Sequence, residues 1–197
     1  MNFADKHNME KEAIIEKLRR LAPYCVSDAR FEPAAVLMPI FKKEDKWHIL
    51  LTLRSADLPT HKGQISFPGG RLDEGEDTQT AALRETHEEL GIKPQDVELL
   101  GRLDDIVTIT KYRITPFVGV IPYPYPFRVS EREIAEVIEI PLETFLDPKI
   151  YRKDASWSFE GKTYPVHYFS CGRHMVWGAT ARILIQFLEV VMDWKEP

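Results

Sequence analysis

Cysteine is scarce in this chain of 197 residues: Cys25 and Cys171 stand far apart and form no CxxC arrangement. That spacing excludes a disulfide framework and a cysteine-built zinc site, and it points to a reducing, cytoplasmic setting. A basic excess is lacking too. Lys and Arg number 26 against 31 Asp and Glu, for a net charge of −5, and no long basic run occurs. Broad binding to nucleic acid or to an anionic membrane is therefore not expected. The longest apolar run, residues 183–192, is broken by Gln186 and Glu189 and is too short to cross a bilayer. Residues 1–12 are polar and charged, without the basic-then-apolar order of a signal peptide. Repeats, low-complexity tracts and Gly/Ser linkers are missing as well.

What is present is the material of an ordinary globular protein, 44% hydrophobic and 29% charged, enough apolar side chain for one core. The length suits a helical extension over residues 1–30 and one mixed α/β domain over residues 31–197. Ile14, Leu18 and Leu21 recur at helical spacing before Pro23 and predict an amphipathic helix. Two partly alternating segments, 34–41 and 47–54, flank a polar turn and predict a β-hairpin. Residues 77–90 read as a helix with Asp77 as N-cap and Gly91 as its left-handed end. Strands are expected at 97–103 and 114–121. Pro122, Pro124 and Pro126 then deny the ladder its donors, so a stiff connector is expected there. A strand over 133–140, a short turn or helix over 142–146, a hairpin around Glu160, Gly161 and Lys162, and a helix from Ala179 to about Trp194 complete the reading. Ile183, Leu184, Phe187, Leu188 and Val191 form that last helix's core face, and Trp177 is expected to pack in the core.

The chemistry concentrates on the helix over 77–90. Glu85, Glu88 and Glu89 fall at i, i+3 and i+4, on one face of roughly 100°. Like charges so spaced repel one another by a few tenths of a kcal/mol, on the order of 0.2–0.5 per pair. A hard divalent cation turns that repulsion into binding energy, and oxygen ligands of this kind suit Mg²⁺ or Mn²⁺. Arg84 stands at i−4 to Glu88 and can orient it. The glycine turn at Gly69 and Gly70 lets backbone approach the ion, so a carbonyl such as that of Gly69 is a further candidate ligand. His87 reads as a solvated helix residue.

Residues 70–92 resemble the Nudix box, which runs G, five residues, E, seven residues, then R-E-U-x-E-E-x-G-U with U a bulky aliphatic. Gly70, Glu76, Arg84, Glu85, Glu88, Glu89, Gly91 and Ile92 match, and Thr86 stands at the first aliphatic position. Residues 50–70 further resemble the segment of the coenzyme A diphosphatases in that superfamily. Leu50, Leu51, Thr52, Arg54, Ser55, Gly63, Phe67, Pro68, Gly69 and Gly70 match in register, whereas Pro59 replaces an arginine. Leu103, Asp104, Asp105, Thr115, Pro116 and residues 177–181 share the likeness, which extends over about residues 34–188.

The resemblance implies a Nudix fold, a mixed β-sheet sandwiched between α-helices. It implies a diphosphatase with Glu85, Glu88, Glu89 and Gly69 at the metal and Arg84 beside them. For the general base, Glu88 or Glu85 competes with Glu133 and Glu136 from outside the box. Arg54, His61 and Lys62 are the cations placed to meet an anionic substrate where Pro59 supplies none. The implied substrate is coenzyme A or an acyl derivative. Another nucleoside diphosphate such as ADP-ribose or NADH, or a catalytically silent nucleotide-binding module, is the alternative. Nucleic acid and membrane are not expected as partners, and a homodimer is left open.

Overall fold

Glu44 and Asp45, with φ of 51° and 59°, give the two consecutive left-handed residues that a two-residue hairpin turn requires. They join β1 (Glu32–Lys43) to β2 (Lys46–Arg54), so the anticipated hairpin is present with longer strands. The structure is a computed structural model that describes residues 10–57, 62–159 and 162–197. Along its other edge β1 runs parallel to β7 (Tyr112–Val120), from Glu32 opposite Tyr112 to Ile40 opposite Val120. It also pairs antiparallel with the short β4 (Gly69–Arg71). β3 (Ile65–Ser66) and β8 (Ile134–Pro141) pair with β2, while β5 (Glu98–Arg102) and β6 (Ile106–Val107) pair with β7. Together they make a mixed eight-stranded sheet whose main path is β3-β2-β1-β7-β5. The two-residue strands β3 and β6 escaped the sequence reading because two residues carry no readable alternation.

A second, three-stranded antiparallel sheet combines β9 (Tyr151–Phe159), β10 (Lys162–Cys171) and β11 (His174–Trp177). The pairing of Phe159 with Lys162 places the anticipated hairpin, although Glu160 and Gly161 themselves lie outside the described residues. Residues 122–127 form no strand. Tyr123, Tyr125 and Phe127 pack against the buried Phe41, Leu50, Leu90, Ile92 and Ile121.

The alternation of β1 sorts the layers. Ala35 and Leu37 face α2 (Thr78–Leu90), whose Ala81 and Ala82 let the helix approach the sheet closely. Met38 and Ile40 face the opposite side, where α1 (Lys11–Arg20), α3 (Gly178–Met192) and the second sheet close the main core. This is the mixed sheet sandwiched between helices that the resemblance implies. Ile14 and Leu18 of α1, read as part of an extension, are buried in that same core. The following segment is fastened by Asp104, which accepts from Tyr24 N at 2.7 Å, and by Asp105, which accepts from Val26 N at 2.9 Å. Trp177 departs from expectation: it is 41% exposed and stacks on Tyr168. The reason is the two-residue period of β11, where the buried Val176 takes the inward position and turns Trp177 outward. Among the described residues, no helix is long and apolar enough to cross a membrane.

Candidate active site

α2 starts where the Asp77 carboxylate accepts from Gln79 N and Thr80 N at 2.9 and 3.0 Å, and it ends at Gly91 with φ 72°. Its sheet-facing stripe is Ala81, Ala82, Thr86, Glu89 and Leu90, so a carboxylate sits among small and apolar neighbours. The three box carboxylates are consequently unequal. Their side chains are 2% exposed at Glu89, 19% at Glu85 and 53% at Glu88. Glu85 and Glu89 lie one turn apart on the inner flank, and Glu88 turns toward solvent.

β4 provides the wall opposite them. Gly69 N donates to Oε2 of Glu89 at 3.3 Å, and Arg54 Nη1, from the end of β2, donates to Oε1 at 3.4 Å. Gly69 has φ 149°, and a Cβ there would overlap the backbone of Ala35 and Val36. At Gly70 a Cβ would overlap the Glu85 carboxyl group. The two glycines thus let a strand backbone lie directly against two carboxylates.

Burial pushes Glu89 up to about 8; Arg54 and the Gly69 N–H pull against that shift, while Glu85 and Glu133 reinforce it. Glu85 is also raised, by burial first, with Arg84 opposing and the charges of Glu88 and Glu133 adding to the rise. Arg84 is fully engaged. Its Nε and Nη2 grip Glu76 at 3.0 Å each, Nη1 reaches Glu85 at 3.0 Å and Glu88 at 3.2 Å, and Nη2 also donates to Arg71 O at 3.0 Å. That grip holds the Glu76 carboxyl below its usual range and ties the loop before α2 to the helix.

Arg54, Gly69, Glu76, Arg84, Glu85 and Glu89 therefore converge on one place, with Glu88 on its rim. Glu133 is close by. Its carbonyl accepts from Ser55 N at 2.8 Å, and Ser130 N donates to Glu89 O at 2.9 Å, so the chain leading into β8 is fastened to the end of α2. Glu136 is not brought to the cluster; it accepts from Arg173 Nη2 at 2.6 Å and lies 3.4 Å from His174 Nε2. Lys62 is exposed, and His61, like Pro59, lies outside the described residues. Sequence reasoning missed that Arg54 is the counter-charge of a buried glutamate, because nothing in the spacing of residues 54 and 89 signals their meeting. Thr86 fits its aliphatic position because its hydroxyl is spent locally, donating to Ala82 O at 2.6 Å while fully buried.

Among the described residues, no three His, Cys, Asp or Glu side chains gather as a ready-made metal site. The donor chemistry still fits a hard divalent cation. Glu85 and Glu89 offer oxygen donors, desolvated and mutually repelling, and a strand backbone without side chains lies against them.

Residues 31–157 match the NUDIX domain. A protein of Escherichia fergusonii described as an uncharacterized Nudix hydrolase NudL is 42% identical, over 77% of this chain and 78% of that one. Its namesake from Enterobacter sp. (strain 638) is 34% identical over 91% and 94%. In architecture the chain is similar to a MutT/nudix family protein from Enterococcus faecalis, with a TM-score of 0.55 over 94% of this chain and 75% of that one at 15% identity. It is also similar to a C. elegans Ap4A hydrolase in a binary complex, with a TM-score of 0.50 over 56% and 80% at 25% identity.

Proposed function

The chain belongs to the Nudix hydrolases, enzymes that cleave small diphosphate compounds, and from that premise we propose that its substrate is coenzyme A or an acyl-coenzyme A. Cleavage at the diphosphate yields 3′,5′-ADP and 4′-phosphopantetheine or its acyl form. The observation that carries this reading is the meeting of Arg54 with Glu89: the segment resembling coenzyme A diphosphatases and the box helix share one ion pair.

Glu85 and Glu89, with Glu88 and the Gly69 carbonyl as further donors, would hold Mg²⁺ or Mn²⁺, which would supply an activated water and shield the diphosphate charge. Arg84 is a positioning residue, since every nitrogen it has is spent on Glu76, Glu85, Glu88 and Arg71 O. Arg54 is held between two tasks, countering Glu89 and facing an incoming phosphate. Glu133, whose charge is felt by both Glu85 and Glu89, takes the proton from the attacking water. Glu136 has less support for that role, because Arg173 and His174 occupy its carboxylate.

A substrate panel with Mg²⁺ or Mn²⁺ tests the reading. Coenzyme A is expected to be turned over faster than dephospho-coenzyme A, ADP-ribose or NADH. Equal rates for dephospho-coenzyme A or ADP-ribose would shift the assignment to a broader nucleoside diphosphate hydrolase, and the absence of product with every compound would make the chain a silent binding module.

A further inference from the structure

The arginines that enter the carboxylate cluster are already committed. Arg84 is spent on Glu76, Glu85, Glu88 and Arg71 O, and Arg54 faces Glu89. Two arginines beside the cluster are not. Arg128 and Arg132, on the connector between β7 and β8, are exposed, and among the described residues neither side chain forms a hydrogen bond or an ion pair. Acids are at hand, since Glu131 and Glu133 flank Arg132 in sequence, yet no pair forms. An arginine without an internal acceptor keeps its planar donor fork open for an outside oxyanion, and a phosphate matches that fork with two parallel hydrogen bonds.

Backbone contacts fix where these two residues stand. Arg128 N donates to Leu90 O and Ser130 N to Glu89 O, each at 2.9 Å, while Gly91 N donates to His87 O at 2.8 Å. Those carbonyls at the end of α2 thus have backbone donors, and capping them leaves no task for a guanidinium. Arg128 packs so closely on Gly91 that a Cβ added there would lie 2.7 Å from the Arg128 Cβ. Gly91 follows Glu88 by three positions, about one helical turn, so Arg128 borders the rim that Glu88 forms. Arg132 comes in beside the end of β2: Ser55 N donates to Glu133 O at 2.8 Å, and Ile134 lies opposite Arg54. The connector lies on the α2 side of the sheet, where its Tyr123, Tyr125 and Phe127 pack against Leu90 and Ile92. Both free arginines therefore stand on the face that carries the cluster. The cluster itself is built of carboxylates, which repel a phosphate that no metal ion shields. A phosphate on the substrate beyond the cleaved linkage needs cations of its own.

We infer that Arg128 and Arg132 bind a second phosphate of the substrate, a monoester on the nucleoside beside the cleaved diphosphate, and so select a 3′-phosphorylated nucleotide. The inference rests on the coenzyme A reading above and names the residues that read its 3′-phosphate. The double variant Arg128→Gln, Arg132→Gln should raise KM for coenzyme A at least about tenfold with kcat nearly unchanged, and leave both constants for dephospho-coenzyme A at their parental values. Arg128→Lys with Arg132→Lys, which keeps the charge without the planar fork, should recover part of the loss. Arg19→Gln removes an equally unpartnered, exposed arginine from α1 across the sheet and should change neither substrate. Calorimetric binding of adenosine 3′,5′-bisphosphate and adenosine 5′-monophosphate gives a readout apart from turnover: the parent should prefer the bisphosphate, and the double Gln variant should bind the two alike. An unchanged preference in that variant overturns the inference and leaves the substrate reading standing. A loss shared equally by coenzyme A and dephospho-coenzyme A, or matched by Arg19→Gln, assigns the effect to structure or to net charge and also overturns it. A parent enzyme that does not distinguish the two coenzymes removes the substrate reading, and the inference falls with it.

Discussion

The guanidinium of Arg54 stands 3.4 Å from the carboxylate of Glu89, a side chain only 2% exposed. The arginine is itself constrained, since its Nε is buried without a hydrogen-bond partner. A buried carboxylate deprived of its counter-charge is strongly destabilising, by as much as about 3–5 kcal/mol in a dry interior. Arg54 is 21% exposed and its contact is long, so Arg54→Ala is expected to cost less, on the order of 2 kcal/mol. Urea unfolding in the presence of a chelator measures it. Mg²⁺ should return part of the loss, because a cation at Glu89 replaces the missing charge.

Glu89→Gln separates folding from function in the opposite direction. Burial disfavours the Glu89 charge, and an amide carries none while still accepting from Gly69 N. The metal-free variant should melt a few degrees above the parent, at about 2–4 °C per kcal/mol for a chain of this size. Stabilisation by added Mg²⁺ or Mn²⁺ and turnover should both disappear. A variant that melts lower than the parent in chelator, or keeps near-normal turnover, contradicts the assignment.

Gly70→Ala is expected to spare the fold and damage the chemistry. The added Cβ meets the Glu85 carboxyl group, the movable end of a side chain, so the protein can yield by displacing that carboxylate. Displacing a catalytic group by about 1 Å can cost about 100-fold in rate. Steady-state kinetics with Mg²⁺ should show a loss of that order beside a nearly unchanged melting temperature. Gly69→Ala must instead strain the backbone against Ala35 and Val36, and should lower the melting temperature as well.

Thr86→Val tests whether the one departure from the box is structural. The Thr86 hydroxyl is buried and satisfied by Ala82 O at 2.6 Å, so removing it loses one hydrogen bond and leaves that carbonyl its helical partner. The net change is expected to lie within about 1 kcal/mol, with turnover unaltered. A large loss of activity would mean that the hydroxyl does more than fill its place.

The parts of this fold that were legible in sequence are those governed by local rules. Asp77 and Gly91 bracket α2 because a side-chain acceptor and a left-handed residue act within one turn of the chain, and the three box carboxylates were readable from helical period alone. What spacing could not convey was their inequality. Glu89 is buried and Glu88 exposed because Ala81 and Ala82 settle α2 onto β1, a packing choice made by the sheet rather than by the helix. The partner of Arg54, the separation of Glu133 from Glu136, and the outward Trp177 likewise depend on which strands meet, and pairings between distant segments leave no local signal.

Glu133 and Glu136 looked equivalent as neighbours on one strand, and the structure separates them by what surrounds each. Glu136 is held by Arg173 and His174, whereas Glu133 contributes to the field at Glu85 and Glu89 from a backbone tied to Ser55 and Ser130. If Glu133 accepts the proton from the attacking water, Glu133→Gln removes the acceptor while preserving shape and its backbone ties. Loss of a general base is worth about 10²–10⁴-fold in rate, so kcat should fall by at least about 100-fold while KM changes little. Glu131→Gln, at an exposed site in the preceding turn, provides the comparison and should leave kcat as it was. A Glu133→Gln enzyme that keeps near-parental kcat would return the base to Glu88 or Glu85 on the box helix.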